Sequence, residues 1–479
     1  MGFVTGQSRD QGSLFPVVLD DLVPEDHSVR VIDAFVAGLD LAELGFAKAE
    51  LAATGRPPYD PGDLLRLYLY GYLNQVRSSR RLERECARNV EVMWLLNRLA
   101  PDHKTIAEFR RLNAVSFKAV CRAFVRFCAE AELIGGQWVA IDGSKFQAVA
   151  SKRAVVTAAK LEEQLKSLDS QVQSYLQTLD AADEAEAHAA GGEGTQAVRE
   201  ALARLQERRA DVASTRAILQ ELKVTQHVVG ESEAKLMKTG QGPSAVAYNV
   251  QSAVDAKHKL VVHHELTNES NDSRCLFPMA TAAKEVLGNE RLNVVADAGY
   301  SNGQQALACE AAGISAYVPV QRATNNQGDG IYFDRSAFSY DGRSDSYRCP
   351  AGQTLTRKGS NADGLLLYTT PACTGCAIKG KCTGAKQRWV SRHPAEEALE
   401  RMRQRLERYP QAMAIRRETV EHPFANLKYR ILGNARLLLR GMQGAGGEMA
   451  LAVLAHNFRR ALNLLGTSVM RQRLAIRPT

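Results

Sequence analysis

Two apolar runs in this chain each arrive at an aspartate: Gln137-Trp-Val-Ala-Ile-Asp142-Gly-Ser and Leu292-Asn-Val-Val-Ala-Asp297-Ala-Gly-Tyr. Each reads as a buried strand ending in a carboxylate beside a glycine turn. A third carboxylate, Glu421, lies within Arg416-Arg417-Glu-Thr-Val-Glu421-His-Pro-Phe-Ala-Asn-Leu-Lys428. Three carboxylates without clustered histidines suit a hard cation such as Mg²⁺, which takes oxygen ligands and keeps part of its water shell. Two such ions about 4 Å apart can activate an attacking oxygen and stabilise the leaving oxygen of a phosphodiester. The chemistry this predicts is phosphoryl transfer on nucleic acid. Glu418 competes with Glu421 for the third place, because residues three apart share a helix face.

The elements that must position these groups are spread over 479 residues, enough for two or three units or for one core with large insertions. With 45% hydrophobic and 24% charged residues, the composition is that of an ordinary globular protein rather than a disordered chain. The net charge of +8 matters mainly through its distribution, since Arg401, Arg403, Arg405, Arg408, Arg416, Arg417, Arg430, Arg436 and Arg440 surround Glu421. An anionic polymer passing the site explains that cluster; a solvated helix face balanced by Glu396, Glu397, Glu400 and Glu407 is the alternative. No stretch approaches the roughly 20 apolar residues of a membrane span, and the first residues lack a signal-peptide core. The expectation is a cytoplasmic protein in contact with the nucleoid and not with a membrane. Nine unevenly spaced cysteines do not suggest a disulfide framework.

Residues 24–134 carry apolar positions at three and four spacing and read as an all-helical unit, giving a domain over 1–135. Asp60 is placed to cap a helix that begins near Pro61, and Thr105 and Glu108 have capping-box spacing. Arg77, Arg80, Arg81 and Arg84 precede the second of these helices, so a helix-turn-helix contact with DNA is one reading, and a plain helix pair with surface arginines is the other. From 154 to 228 Leu161, Leu165, Leu168, Val172, Tyr175 and Leu179, then Val198, Leu202, Leu205, Val212, Leu219 and Leu222, predict a coiled-coil-like antiparallel hairpin around the Gly191-Gly-Glu-Gly194 break. It reads first as a packed arm, with dimer contact or DNA clamping as the alternative.

Beyond Ala245 the period changes to two, and the predicted order is strand, strand, strand, helix, strand, helix, strand, then a late helix bearing Glu421. That order is the ribonuclease H-like layout, an α/β mixed sheet in which the first and fourth strands lie side by side and bring Asp142 to Asp297. The catalytic domain so predicted spans 136–479, with insertions at 154–228 and 323–392. His263, His264 and His456 fall in strand or helix contexts and read as structural.

At this point the residues resemble a family, the DDE transposases of bacterial insertion sequences. Asp142-Gly-Ser resembles its first motif, Asp297-Ala-Gly-Tyr its second, and Arg417-x3-Glu421-x6-Lys428 most of its Tyr-Arg-Glu-Lys signature, whose Tyr position falls on Ala414 here. The likeness extends through Leu236-Met-Lys-Thr, Tyr248-Asn-Val-Gln, Thr267-Asn-Glu-Ser-Asn-Asp and Leu454-Ala-His-Asn-Phe-Arg. It implies that Asp142, Asp297 and Glu421 are catalytic and hold two Mg²⁺ ions, and that Arg417 and Lys428 contact DNA phosphates near the cut ends. It also implies a homodimer on double-stranded DNA with terminal inverted repeats, cutting and joining insertion-sequence ends. The alternative is a catalytically inactive, transposase-derived DNA-binding protein, which Ala414 keeps open.

The segment 323–392 carries Cys349, Cys373, Cys376 and Cys382 with a single C-x2-C pair. Four thiolates of this kind can form a tetrahedral structural Zn²⁺ site in a small unit that lacks its own core. The remaining cysteines, Cys86, Cys121, Cys128, Cys275 and Cys309, sit in apolar helical contexts as small hydrophobes.

Overall fold

A computed structural model of the chain describes residues 18–50, 57–186, 193–239, 242–320, 332–361 and 364–475. Six helices come first: α1 (Ser28–Ala37), α2 (Pro61–Leu73), α3 (Ser79–Arg88), α4 (Val90–Leu95), α5 (His103–Leu112) and α6 (Ser116–Glu130). Asp60 caps α2 by accepting from the Gly62 amide, and Pro61 fills the first helical position, where its missing N–H costs nothing. The start of α5 differs from the capping-box expectation. Asp102 caps it by accepting from the Thr105 amide at 2.7 Å, which places Thr105 inside the first turn and leaves Glu108 to pair with Lys48 and Arg111. An aspartate one residue ahead of the helix competes successfully for the free amides.

The central sheet begins with β1 (Trp138–Gln147). After it come the short β2 (Val155–Thr157), the long helices α7 (Ala158–Glu186) and α8 (Glu193–Glu221), and β3 (Gln226–Val228), which pairs with β2 and closes the base of the helical arm. Apolar packing along the arm is densest at that base, where Val156, Leu161 and Leu219 are buried together. Farther along, Tyr175 is exposed, as is Leu222 just beyond α8, so the seam predicted from the heptad spacing closes only in part. The side chain of Leu179 lies outside the described residues.

The chain returns as β4 (Lys235–Met237), β5 (Ala245–Asp255), β6 (Val261–Thr267), α9 (Leu276–Leu287), β7 (Leu292–Val295), α10 (Gly303–Ala311) and β8 (Ile314–Tyr317). The sheet runs β4-β5-β1-β7-β8, with β6 also on β5. β1 is antiparallel to β5, pairing Asp142 with Ser252, and parallel to β7, pairing Val139 with Val294. A separate meander follows, made of β9 (Ser339–Asp341), β10 (Ser346–Arg348), β11 (Thr354–Ser360), β12 (Leu366–Thr369) and β13 (Val390–Arg392). The first part of the predicted 323–392 insertion lies outside the described residues.

Four helices close the fold: α11 (Glu396–Arg408), α12 (Ala412–Ala425), α13 (Gly441–Leu465) and α14 (Thr467–Ala475), with a π-helical turn over Asn426–Ile431 after α12. One face of the central sheet packs on α9, α10 and α11, while the other receives α12 through Ala140, Val295, Ala412 and Val420. The early helices share one continuous core with α13, in which the rings of Phe35, Phe124 and Phe458 meet. A buried ion pair, Arg77 to Glu448 at 2.9 Å, ties the two ends of the chain together. Among the described residues no helix is long and apolar enough to cross a membrane.

Candidate active site

Asp142 does not end its strand. β1 continues through Gly143 to Gln147 because β5 runs beside it over that whole length, pairing Gln147 with Ala247. Alternation along β1 then puts Asp142 on the same face as Ala140, the face that α12 covers. Gly143 points the other way, and a Cβ there would lie 2.4 Å from Gln251 Nε2 and 2.8 Å from Asp272 Oδ1. The Asp-Gly pair therefore marks a close approach of polar side chains and not a turn.

Asp297 follows the end of β7 and caps the short turn Ala298–Tyr300, its Oδ1 accepting from the Gly299 amide at 2.8 Å. Because β1 and β7 are parallel neighbours, both carboxylates reach one place, where a single guanidinium meets them. Arg416 Nη2 stands 3.3 Å from Asp142 Oδ1 and 3.6 Å from Asp297 Oδ2. Asp297 keeps 45% of its side chain exposed, so the pair opens to solvent on one side. Burial pushes the Asp142 carboxyl up to about 6; Arg416 holds it down and the Asp297 charge adds to the rise.

Glu421 is not drawn in with the two aspartates. It lies on the exposed side of α12, as does Glu418, and among the described residues no three His, Cys, Asp or Glu side chains gather closely enough to hold a metal ion. Arg417 is exposed as well. Lys428 leans inward from the π-helical turn, its Nζ 5.3 Å from the ring centre of Phe146; burial pulls its ammonium below the ordinary value and the Asp142 charge opposes that. Ala414 is half-buried on α12. Tyr409 does not stand in for the signature tyrosine, since it stacks on Trp138 at 5.3 Å near the start of β1 and also meets Tyr317.

The arginine cluster divides. Arg401 and Arg405 pair with Glu310, and Arg403 pairs with Glu407, so these three are largely balanced on and beside α11. Arg416 turns into the site, whereas Arg408, Arg417 and Arg430 face solvent. In the early helices Arg77 is buried against Glu448, while Arg80, Arg81 and Arg84 are exposed on or beside one helix face.

A further set of residues lies largely within the motifs that carry the resemblance, without a role assigned to them from the sequence. The Asp272 carboxylate accepts from Asn249 Nδ2 and Gln251 Nε2, both at 2.7 Å, and lies 3.6 Å from Lys145 Nζ. Gln251 Oε1 in turn accepts from the Tyr300 hydroxyl. This network joins β1 and β5 to the turn after Asp297. Its signal in the sequence was the alternation Asn249, Gln251 on a strand whose neighbours are otherwise apolar, because polar side chains at core positions need partners.

Cys349, Cys373, Cys376 and Cys382 line one cavity of the meander together with Phe338, Leu355 and Ile378. The Cys373 sulfur accepts from the Arg388 amide at 3.5 Å, and burial pushes the Cys382 thiol up. Three of the other cysteines, Cys86, Cys121 and Cys309, are buried with raised thiol pKa values, so they are inert packing groups. His264 and His456 are buried, and burial pulls His456 down to about 4.

Comparison with known proteins gives two matches by family. Residues 17–112 match a family described as a transposase domain (DUF772), and residues 348–462 match one described as a transposase DDE domain. Both matched segments are thus similar to transposase domains. The second of them includes Glu421 and Lys428, whereas Asp142 and Asp297 lie between the two transposase segments. No curated protein matches the chain. A solved structure, the cryo-EM synaptic complex of piggyBac transposase with hairpin DNA, aligns over 95% of this chain and 83% of its own at 11% identity with a TM-score of 0.30, a likeness too slight to support an argument.

Proposed function

We propose that this chain is a DNA transposase that cuts and joins the ends of an insertion sequence, on a ribonuclease H-like sheet. The observation that carries the reading is the meeting of Asp142 and Asp297 on neighbouring parallel strands, in a chain whose matched segments are of transposase type. The sheet order, three antiparallel strands extended by two parallel ones with helices on both faces, supports the fold assignment.

The donor set suits a hard divalent cation, since two carboxylates already share one cationic group there. Asp142, Asp297 and Glu421 would hold two Mg²⁺ ions, whose chemistry when bound is to activate the attacking oxygen and stabilise the leaving oxygen of a phosphodiester. Arg417, on the exposed side of α12, and Lys428, beside Phe146, would hold the phosphates next to the cut. Arg80, Arg81 and Arg84 offer an exposed basic face for the flanking duplex. Double-stranded DNA with terminal inverted repeats is the partner, bound by a homodimer. The cavity of Cys349, Cys373, Cys376 and Cys382 would take a structural Zn²⁺, a reading supported by four thiols lining one cavity in a unit with a small core, and one that requires them to draw closer together than they stand.

The alternative, a DNA-binding descendant without catalysis, is favoured by Ala414 and by the outward placement of Glu421. Cleavage of labelled DNA carrying the element's ends separates the two. The account expects Mg²⁺-dependent cutting that disappears in Asp142→Ala, Asp297→Ala and Glu421→Gln. Tight end binding with no cutting in the unaltered chain would select the alternative.

A further inference from the structure

Arg416 is the feature of the site that the proposed reaction does not use. It precedes the signature arginine by one residue, and where Arg417 faces solvent, Arg416 reaches inward to both aspartates. Its side chain is only 21% exposed, and its Nε is buried without a hydrogen-bond partner among the described residues. A buried guanidinium N–H left unpaired is unfavourable, so the contacts of Nη2 with the two carboxylates must offset it. Two carboxylates placed side by side repel each other, and one positive charge between them offsets that repulsion.

We propose that Arg416 is a built-in counter-cation, which holds Asp142 and Asp297 as a pair and competes with the divalent cation for them. The inference rests on the metal-binding part of the proposed function. A divalent ion held by Asp142 and Asp297 would draw on the carboxylates that the guanidinium contacts, so each would weaken binding of the other by an equal factor. The element that carries Arg416 is built to yield. Pro423 interrupts the hydrogen bonding of α12, and the π-helical turn over Asn426–Ile431 follows directly, a geometry that accommodates a change of helical register. Glu421 stands five residues beyond Arg416, about 140° around the same helix. The two side chains therefore lie on different sides of α12, and Glu421 would join the pair only after a local change of helical register.

The test uses the full-length protein without DNA and Mn²⁺ as the probe, with binding read by electron paramagnetic resonance. Arg416→Gln should bind Mn²⁺ roughly tenfold more tightly than the unaltered chain, within the usual span of coupling between competing ligands, and Asp142→Asn should abolish binding. Equal or weaker Mn²⁺ binding in a folded Arg416→Gln protein, with binding still dependent on Asp142, would overturn the role of Arg416 alone. Mn²⁺ binding that is indifferent to Asp142→Asn would remove the metal reading and this inference with it. A second measurement needs no variant: phenylglyoxal modification mapped by mass spectrometry, with Arg417 as an exposed internal reference. Mn²⁺ should speed modification of Arg416 relative to Arg417. An unchanged ratio at saturating Mn²⁺ would contradict the exchange.

Discussion

The aspartate pair and the cysteine cavity each bring candidate metal ligands together, the first from β1 and the end of β7 and the second from within one meander, and they are held in opposite ways. Around Asp142 and Asp297 the protein supplies its own order: a guanidinium on the charged side, the Asp272–Gln251–Tyr300 network behind, and a sheet packed on both faces. Around Cys349, Cys373, Cys376 and Cys382 the core is five buried side chains, Phe338, Tyr347, Leu355, Tyr368 and Val390. The first site can keep its shape without metal, because its charges are compensated by side chains. The second has a small apolar core, so on the proposed zinc reading it would depend on a cross-link between its thiols.

The largest effect should therefore come from the cysteines. Metal analysis of purified protein should find one Zn²⁺ per chain, and stripping it should expose the amides of β9 to β13 to hydrogen exchange while those of β1, β5 and β7 stay protected. Structural zinc typically contributes on the order of 10 kcal/mol to such small units, so protection in the meander should be lost almost entirely. Far less than one zinc per chain, with a protected meander, would erase the contrast.

A smaller effect should follow from disturbing the order behind the aspartates. Gly143→Ala places a methyl group against Gln251 and Asp272, and overpacking of this kind costs about 1–3 kcal/mol. The variant should melt several degrees lower and cleave more slowly at saturating Mg²⁺. Unchanged melting and activity would show that the network is loose and that the site is not ordered in advance.

Of similar size, and present only at low pH, is an effect confined to the packed body. His456 is buried with its imidazole pulled down to about 4 from an ordinary value of 6.5. A folded-state pKa below the unfolded one gives stability that is complete above about pH 6.5 and is lost as pH falls toward 4. At pH 5 that is about 2 kcal/mol for one such imidazole. Melting should thus fall between pH 7 and pH 5, and His456→Gln should flatten the fall. An identical slope in the variant would place the proton uptake elsewhere.

Much of the scaffold was legible because it follows from periodicity. The change from helical spacing to alternation near Ala245, and the apolar runs before the two aspartates, led to the right neighbours in the sheet. What escaped was decided by tertiary contact. Nothing local distinguishes Arg416, which reaches 3.3 Å from Asp142, from Arg417, which faces water; only the packing of α12 does. The Asp-Gly pair read as a turn because glycine commonly supplies one, whereas here it makes room for Asp272 and Gln251 from other strands and loops. Asp102 won the cap of α5 from Thr105 by one turn of chain, a local competition that spacing alone left open.

If the chain joins DNA as well as cutting it, strand transfer from free 3′-hydroxyl ends is the step that shows it. Labelled DNA carrying the element's own ends would be incubated with Mg²⁺ and a target plasmid, using the unaltered chain, Asp142→Ala, Asp297→Ala and Glu421→Gln. The account predicts joining of free 3′-hydroxyl ends to the plasmid by the unaltered chain and none by the three variants. Cutting without joining, or joining that survives loss of Asp142 or Asp297, would contradict it.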